Sequence, residues 1–323
     1  MQATTHRRSL PHRPHRGAIL TLLAMLGFAA MDAMSKLLVR DYPITQSLWI
    51  RYAVFTLFAL AIARRYGVGR ALGSNRPALQ AGRALLGLLE NAVFVLAFFY
   101  LPLADTHAVA ATSPLLVIAL AVPLLGERAG LNRWLAVASG FAGVLIILRP
   151  GIHALSWPHM LPLLGALLWA LYQVLTRLTA RSDPPETTLL WTALCGFLGT
   201  SLLVPWQWHA PDTTGWLLLA GAATLGTLSH VAMIRALDFA PAGAVQPYSY
   251  SLLVWAALLG ALVFGDLPDP WTIAGAAIVV LSGLYSWYQD RASASPLPLS
   301  PRASLPSPDA TTASSPPTER THS

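Results

Sequence analysis

The chain is poor in charge and almost without lysine and cysteine. Of 323 residues, 11% are charged, against about 25% in an ordinary soluble domain. Such a chain lacks the polar surface to face water on all sides. One lysine, Lys36, stands among the basic residues, and the other twenty are arginines. They sit in short clusters rather than along one face, so the net charge of +7 does not describe a phosphate-tracking surface, and no nucleic-acid partner is expected. The single cysteine, Cys195, lies in an apolar run, which excludes a disulfide framework and a thiolate metal site. There is no Walker-type loop, no His cluster with metal spacing inside the apolar runs, and no carboxylate pair beside a nucleophile. An enzyme, a metal site, a cofactor and ATP-driven work by this chain alone are therefore not expected.

Apolar sequence is what the chain has in abundance. It is 55% hydrophobic, with mean hydropathy +0.55. The apolar residues come in runs of about twenty, the length that crosses a bilayer as a helix. The runs cover about 17–39, 44–63, 78–101, 105–126, 131–149, 158–178, 187–206, 215–237, 242–265 and 270–288. The expected class is an all-α membrane protein with ten transmembrane helices and the lipid bilayer as its solvent. Residues 1–16 read as a basic tail ahead of a retained first helix, with metal binding by His6, His12 and His15 the weaker alternative. Residues 292–323 are Ser/Pro/Thr-rich and read as disordered.

Arginine placement orients the chain. With the N-terminus inside, the inner segments hold Arg7, Arg8, Arg13 and Arg16; Arg64, Arg65, Arg70 and Arg76; Arg128 and Arg133; Arg177 and Arg181; and Arg235. The outer loops hold Arg40 and Arg149. About thirteen against two puts both termini in the cytoplasm. A bacterial cytoplasmic (inner) membrane is the expected location.

The chain also repeats. "LLVIALAVPLLGE" (115–127) leads to Trp134, and "LLVWAALLGALVFGD" (252–266) leads to Trp271. "AAMDAMSKLL" parallels "ALYQVLTRL", setting Asp32 against Gln173 and Lys36 against Arg177. Five spans per unit is an odd number, so units 17–150 and 157–289 are expected to be inverted relative to each other, with a site at their interface near mid-membrane.

These features, with "SPLLVIALAVPLLGERAGLNRWLAVASGFAGVLIILRPG" at 113–151, resemble the EamA family of the drug/metabolite transporter superfamily. Pro114, Gly126, Glu127, Trp134, Gly140 and Gly143 match its pattern; in the second unit Asp266 replaces the Glu and the proline moves to Pro247. The resemblance covers about 17–289. It implies a secondary transporter of a small polar or zwitterionic organic metabolite, working by alternating access as a monomer or homodimer. Within the family the reading leans to export of an amino-acid-derived compound such as an opine-type metallophore. Uptake of a metabolite such as riboflavin or S-adenosylmethionine is the alternative, and a channel is the alternative of another class.

Polar residues inside the spans nominate the site. Glu90 and Asn91 sit mid-span in "LLGLLENAVFVLAFF", where a carboxylate costs about 2.5–3.5 kcal/mol unless hydrated or paired. His230 falls within about one residue of Asn91 when the units are aligned, which makes Glu90 and His230 a candidate proton-coupling pair. Asp32 and Lys36 are one turn apart; Asp32 is a site candidate, paired with Lys36 or Arg51, while Lys36 is expected to form a structural ion pair or snorkel outward. Arg83 is expected to snorkel inward. Pro114 with Thr112 and Ser113, and Pro247 with Gln246, Tyr248 and Tyr250, mark interrupted helices expected to line the pathway. Trp169, Tyr172 and Gln173 add an aromatic and polar face.

Overall fold

The computed structural model describes residues 14–127, 130–149, 157–240 and 242–293. Most of both expected tails, His6 and His12 included, lies outside the described residues. Among the described residues there is no β-strand, and ten helices are long and apolar enough to cross a membrane. They are α1 (His15–Asp41), α2 (Ile44–Tyr66), α3 (Pro77–Tyr100), α4 (Leu103–Leu125), α5 (Leu131–Leu148), α6 (Trp157–Thr179), α7 (Pro185–Trp206), α8 (Thr213–Ala236), α9 (Pro247–Phe264) and α10 (Pro270–Gln289). At 1.5 Å per residue, 18 to 27 residues make rods long enough for the hydrocarbon core. Their outer faces carry exposed Leu, Val and Ile, such as Leu57, Leu217 and Leu262, as a lipid-facing surface requires.

The packing maps onto itself when the two halves are exchanged. In each half the first helix lies along the third helix of the other, α1 on α8 and α6 on α3. The same exchange relates α4 on α6 to α9 on α1. The pairs α2–α7 and α5–α10 cross the pseudo-axis. The α5–α10 crossing is backbone on backbone. A Cβ at Gly143 would stand 2.8 Å from Gly275 O, and one at Gly275 would stand 2.5 Å from Gly143 O. Only glycine permits that approach, and Val144, Ile147, Ala276 and Val279 close around it.

The ends of α4 and α9 repeat each other in detail. Each terminates on a left-handed glycine, Gly126 (φ 69°) and Gly265 (φ 72°). The next residue's N–H reaches back six positions, Glu127 to Ala121 O and Asp266 to Gly260 O. This turn aims an acid at the neighbouring first helix. Asp266 Oδ2 lies 2.8 Å from Lys36 Nζ on α1, and Glu127 Oε1 lies 3.9 Å from Arg177 Nη1 on α6. The first pair is largely buried and tight; the second is exposed and loose. Lys36, 5% exposed, also donates to Leu101 O at 2.9 Å and lies 4.8 Å from the centre of the Phe264 ring. It therefore neither pairs with Asp32 nor snorkels, because a carboxylate and a carbonyl meet it inside the bundle.

α4 breaks in mid-course, at Ala111–Thr112, and α9 breaks at Tyr250, in its first turn, where it joins the short helix Ala242–Ser249. Pro114 brings no N–H for Ala110 O, and Ser113 Oγ supplies the missing donor at 2.6 Å. Thr112 Oγ1 donates to Val109 O at 2.7 Å. These hydroxyls stabilise the break itself.

Polar clasps hold the loops at both faces. Gln46 exchanges hydrogen bonds with the backbone of His209, 2.8 and 3.0 Å. Asp212 caps α8; the Gly215 N–H and the Tyr42 hydroxyl hold its carboxyl below the usual range. At the opposite face, Asp183 accepts from Ser74, Asn75 and Gln80. Burial pushes the Asp183 carboxyl up, but those hydrogen bonds outweigh it and leave the group below its ordinary value.

Candidate functional site

A chamber of 1390 Å³ occupies one half of the bundle. Its wall comes from α2, α3, α6, α7 and α8. Arg51, Glu90, Asn91 and His230 lie at its deep end, and Arg65, Asp183, Glu186 and Arg235 lie where it meets the ends of the helices. With ten spans, that mouth is on the face that carries both chain ends. The other end is sealed by Ala33, Phe98, Leu103 and Ala256, with Phe94, Leu259 and Phe264 packed against them and the Lys36–Asp266 pair beyond.

Helical spacing explains how α3 builds the wall. Arg83, Gly87 and Glu90 lie one, two and three turns along the same stripe and all face inward. Gly87 leaves room for the Tyr172 ring of α6. Trp169 stacks on Tyr172, with centroids 5.4 Å apart and planes 19° apart. Arg83 lies behind this shelf, its guanidinium 5.0 Å from the Tyr172 ring centre. It is fully buried and donates to Thr188 O (2.9 Å), Thr192 Oγ1 (2.7 Å) and Gln80 Oε1 (3.2 Å). The expectation that Arg83 snorkels is thus corrected: its charge is satisfied in place by oxygens of α3 and α7.

At the deep end a polar string joins α2 to α3. Arg51 Nη2 donates to Asn91 Oδ1 at 3.1 Å. Asn91 Nδ2 donates to Glu90 Oε2 at 2.9 Å and to Gly87 O at 2.9 Å. The charges of Arg51 and Asp32 both act on Glu90. Arg51 therefore belongs to Asn91, not to Asp32. His230 Nδ1 lies 2.9 Å from Gly226 O, with its ring edge-on to Phe28 (4.9 Å) and tilted against Phe55 (5.7 Å).

Of the residues singled out from sequence, Glu90, Asn91, Tyr172 and His230 come together in the chamber. Asp32, Gln173, Thr112, Ser113, Tyr248 and Tyr250 are not part of its lining. Asp32 instead lies 3.2 Å from His107 Nε2. Tyr248 is exposed, and Tyr250 packs its hydroxyl against Gly283 of α10. The side chain of Gln246 lies outside the described residues. Neither α4 nor α9 contributes lining in this conformation, contrary to the expectation from their prolines; the hydroxyls nearest Pro114 are spent on backbone carbonyls. Arg51 and Trp169, named from sequence as a partner for Asp32 and as part of the aromatic face of α6, also line the wall, and the wall residues not singled out include Tyr52, Thr188 and Thr192.

An inverted-repeat helical bundle with a polar chamber open at one face and sealed at the other is the architecture of a multi-pass membrane transporter. The model of the EamA-like transporter family matches residues 15–149 and again 156–287, and the chain belongs to that family. A riboflavin transporter of Vibrio cholerae is 30% identical over 85% of this chain and 93% of its own. An S-adenosylmethionine uptake transporter of Rickettsia prowazekii is 23% identical over 85% and 93%. The pseudopaline exporter CntI of Pseudomonas aeruginosa is 28% identical over 82% and 94%. A solved crystal structure, 20% identical over 86% of this chain and 99% of its own, has the same fold with a TM-score of 0.60.

Proposed function

We propose that this chain takes up a flat, ring-bearing metabolite of the riboflavin kind by alternating access. The observation that carries the reading is the Trp169–Tyr172 stack lining the same chamber as the Arg51–Asn91–Glu90 string. A tricyclic heterocycle stacks on the first and offers its imide edge to the amide and carboxylate of the second. Three relatives bearing the name riboflavin transporter support the same choice. Export of an amino-acid-derived compound, toward which the sequence leaned, is the second reading. It is favoured by Arg51 and His230 as partners for a carboxylate and by the likeness to CntI. The seal at one end speaks for a carrier over a channel. The arginine bias supports a bacterial inner membrane with both termini cytoplasmic.

The test is uptake of labelled riboflavin by a bacterial riboflavin auxotroph that lacks its own carrier. The gene should restore growth on low riboflavin, unlabelled riboflavin should drive counterflow, and Tyr172→Leu should raise KM at least about tenfold, the loss of roughly 1.4 kcal/mol of stacking. Export of amino-acid conjugates into the medium with no riboflavin entry would replace this reading by the second. A periplasm-active reporter working at the C-terminus would overturn the topology.

A further inference from the structure

Beyond the chamber's deep end lies a second group of titratable side chains that the chamber does not use. Asp32 on α1 and His107 on the first half of the broken α4 bring Oδ2 and Nε2 to 3.2 Å. Their side chains are 13% and 8% exposed. Nε2 makes no hydrogen bond, so the carboxylate is within reach of it but off the N–H line. The His107 ring is packed against Phe98 at 5.7 Å, and Phe98 is part of the seal. One turn further along α1, Lys36 makes its bonds to Asp266 and to Leu101 O.

A buried imidazole nitrogen without a hydrogen bond, beside a carboxylate, is incomplete in one specific way. A proton on Nε2 turns the contact into an ion pair across α1 and α4, and no other hydrogen-bond partner meets that nitrogen among the described residues. The neighbouring charges are otherwise engaged. Lys36 is met by Asp266, Arg51 on α2 by Asn91, and Arg149 at the outer end of α5 by Asp269 before α10. His230 on α8 faces Gly226 O, and Tyr172 on α6 faces Arg83. Asp105, two residues before His107, faces Thr272 of α10. Glu90 on α3 is the acid on which Asp32 acts, and it lines the chamber.

We propose that Asp32 and His107 form a proton-binding site outside the chamber, filled from the sealed face when the Lys36–Asp266 pair parts. The proton taken at Nε2 makes an imidazolium beside the Asp32 carboxylate, which ties α1 to α4 and favours closure of that end. The inference rests on the alternating-access part of the proposed function and on no particular substrate.

The experiment needs no substrate. Spin labels at Asp41→Cys and Leu267→Cys, in a Cys195→Ala background and lipid nanodiscs, report the separation of α1 from the end of α9 by pulsed EPR. Raising pH from about 5 to 9 should widen the separation in a single step. His107→Gln and Asp32→Asn should each flatten that response, while His209→Gln, on the exposed strap, should keep it. If His107→Gln does not fold, Asp32→Asn carries the test alone. No pH response in the parent, a full response in either pair variant, or flattening by His230→Gln alone would overturn the proposal. Failure of riboflavin transport would leave this result untouched, so the two readings fail separately.

Discussion

Lys36→Met is the perturbation whose size the structure sets most directly. The lysine makes a 2.8 Å ion pair with Asp266, a 2.9 Å hydrogen bond to Leu101 O, and a 4.8 Å contact with the Phe264 ring. A hydrogen bond to a charged group contributes about 1.5–3 kcal/mol. The Asp266 side chain is 31% exposed, so solvent screening holds the whole set near that same range rather than at its sum. Methionine keeps most of the stem's volume, so packing is largely retained. These contacts exist in the sealed state; in a state opened at that end, as alternating access proposes, the ammonium would meet water. Losing about 1.5–3 kcal/mol from one state multiplies the population of the other by roughly 10 to 150. The assay is the labelling rate of Ala33→Cys by a membrane-impermeant maleimide applied from the face opposite the termini, with Cys195 replaced by alanine. Ala33 is 5% exposed and sits in the seal, so its thiol reacts only when the seal parts. Lys36→Met should speed labelling at least about tenfold. A rate within about twofold of the parent would refute the assignment of Lys36 to the seal.

Glu90→Gln should express normally yet carry substrate with no variation between about pH 6 and 8, because the chamber's acid no longer exchanges a proton; unchanged pH variation would reduce Glu90 to an interhelical tie. Gly275→Val should cost about 1–3 kcal/mol, read as a lower Tm in detergent, since its Cβ would meet the Gly143 carbonyl, whereas Gly82→Val, with open space around it, should leave Tm unchanged. Asp183→Asn should release the Asn75 amide to hydrogen exchange at neutral pH. In the parent, the lowered carboxyl value makes protection complete above the ordinary range near pH 4 and lost only as pH falls below it, and loss between pH 5 and 7 would contradict the clasp.

The architecture was legible because its determinants are local. A run of apolar residues must be a helix in lipid, and an odd number of spans per unit must invert it. The proline breaks were also legible, and so was the inward stripe that carries Glu90. Partners were not. Lys36 and Asp266 are 230 residues apart, and Arg83 and Thr192 are 109 apart. Nothing near either member says what the fold will bring to it. Local rules predicted snorkelling for Arg83 and left Lys36 an ion pair with a neighbour in sequence or a path to the surface, because they weigh a side chain against lipid, water and its own helix alone. They also gave the hydroxyls of Thr112 and Ser113 to the pathway, where the structure gives them to carbonyls that Pro114 and the turn leave open.

The two acid-tipped turns, Gly126–Glu127 and Gly265–Asp266, have a consequence for direction. One holds its cation tightly and the other stands slack, yet they are copies in copies of the same half. Exchanging the shapes of the halves would tighten the slack pair and loosen the tight one without adding any part to the molecule. A device of that kind has no built-in forward stroke. Its two faces would differ in which half is clasped, and gradients across the membrane would decide which way cargo leaves. Importers and exporters can then share one blueprint, differing in what fills the chamber and in which compartment keeps it scarce.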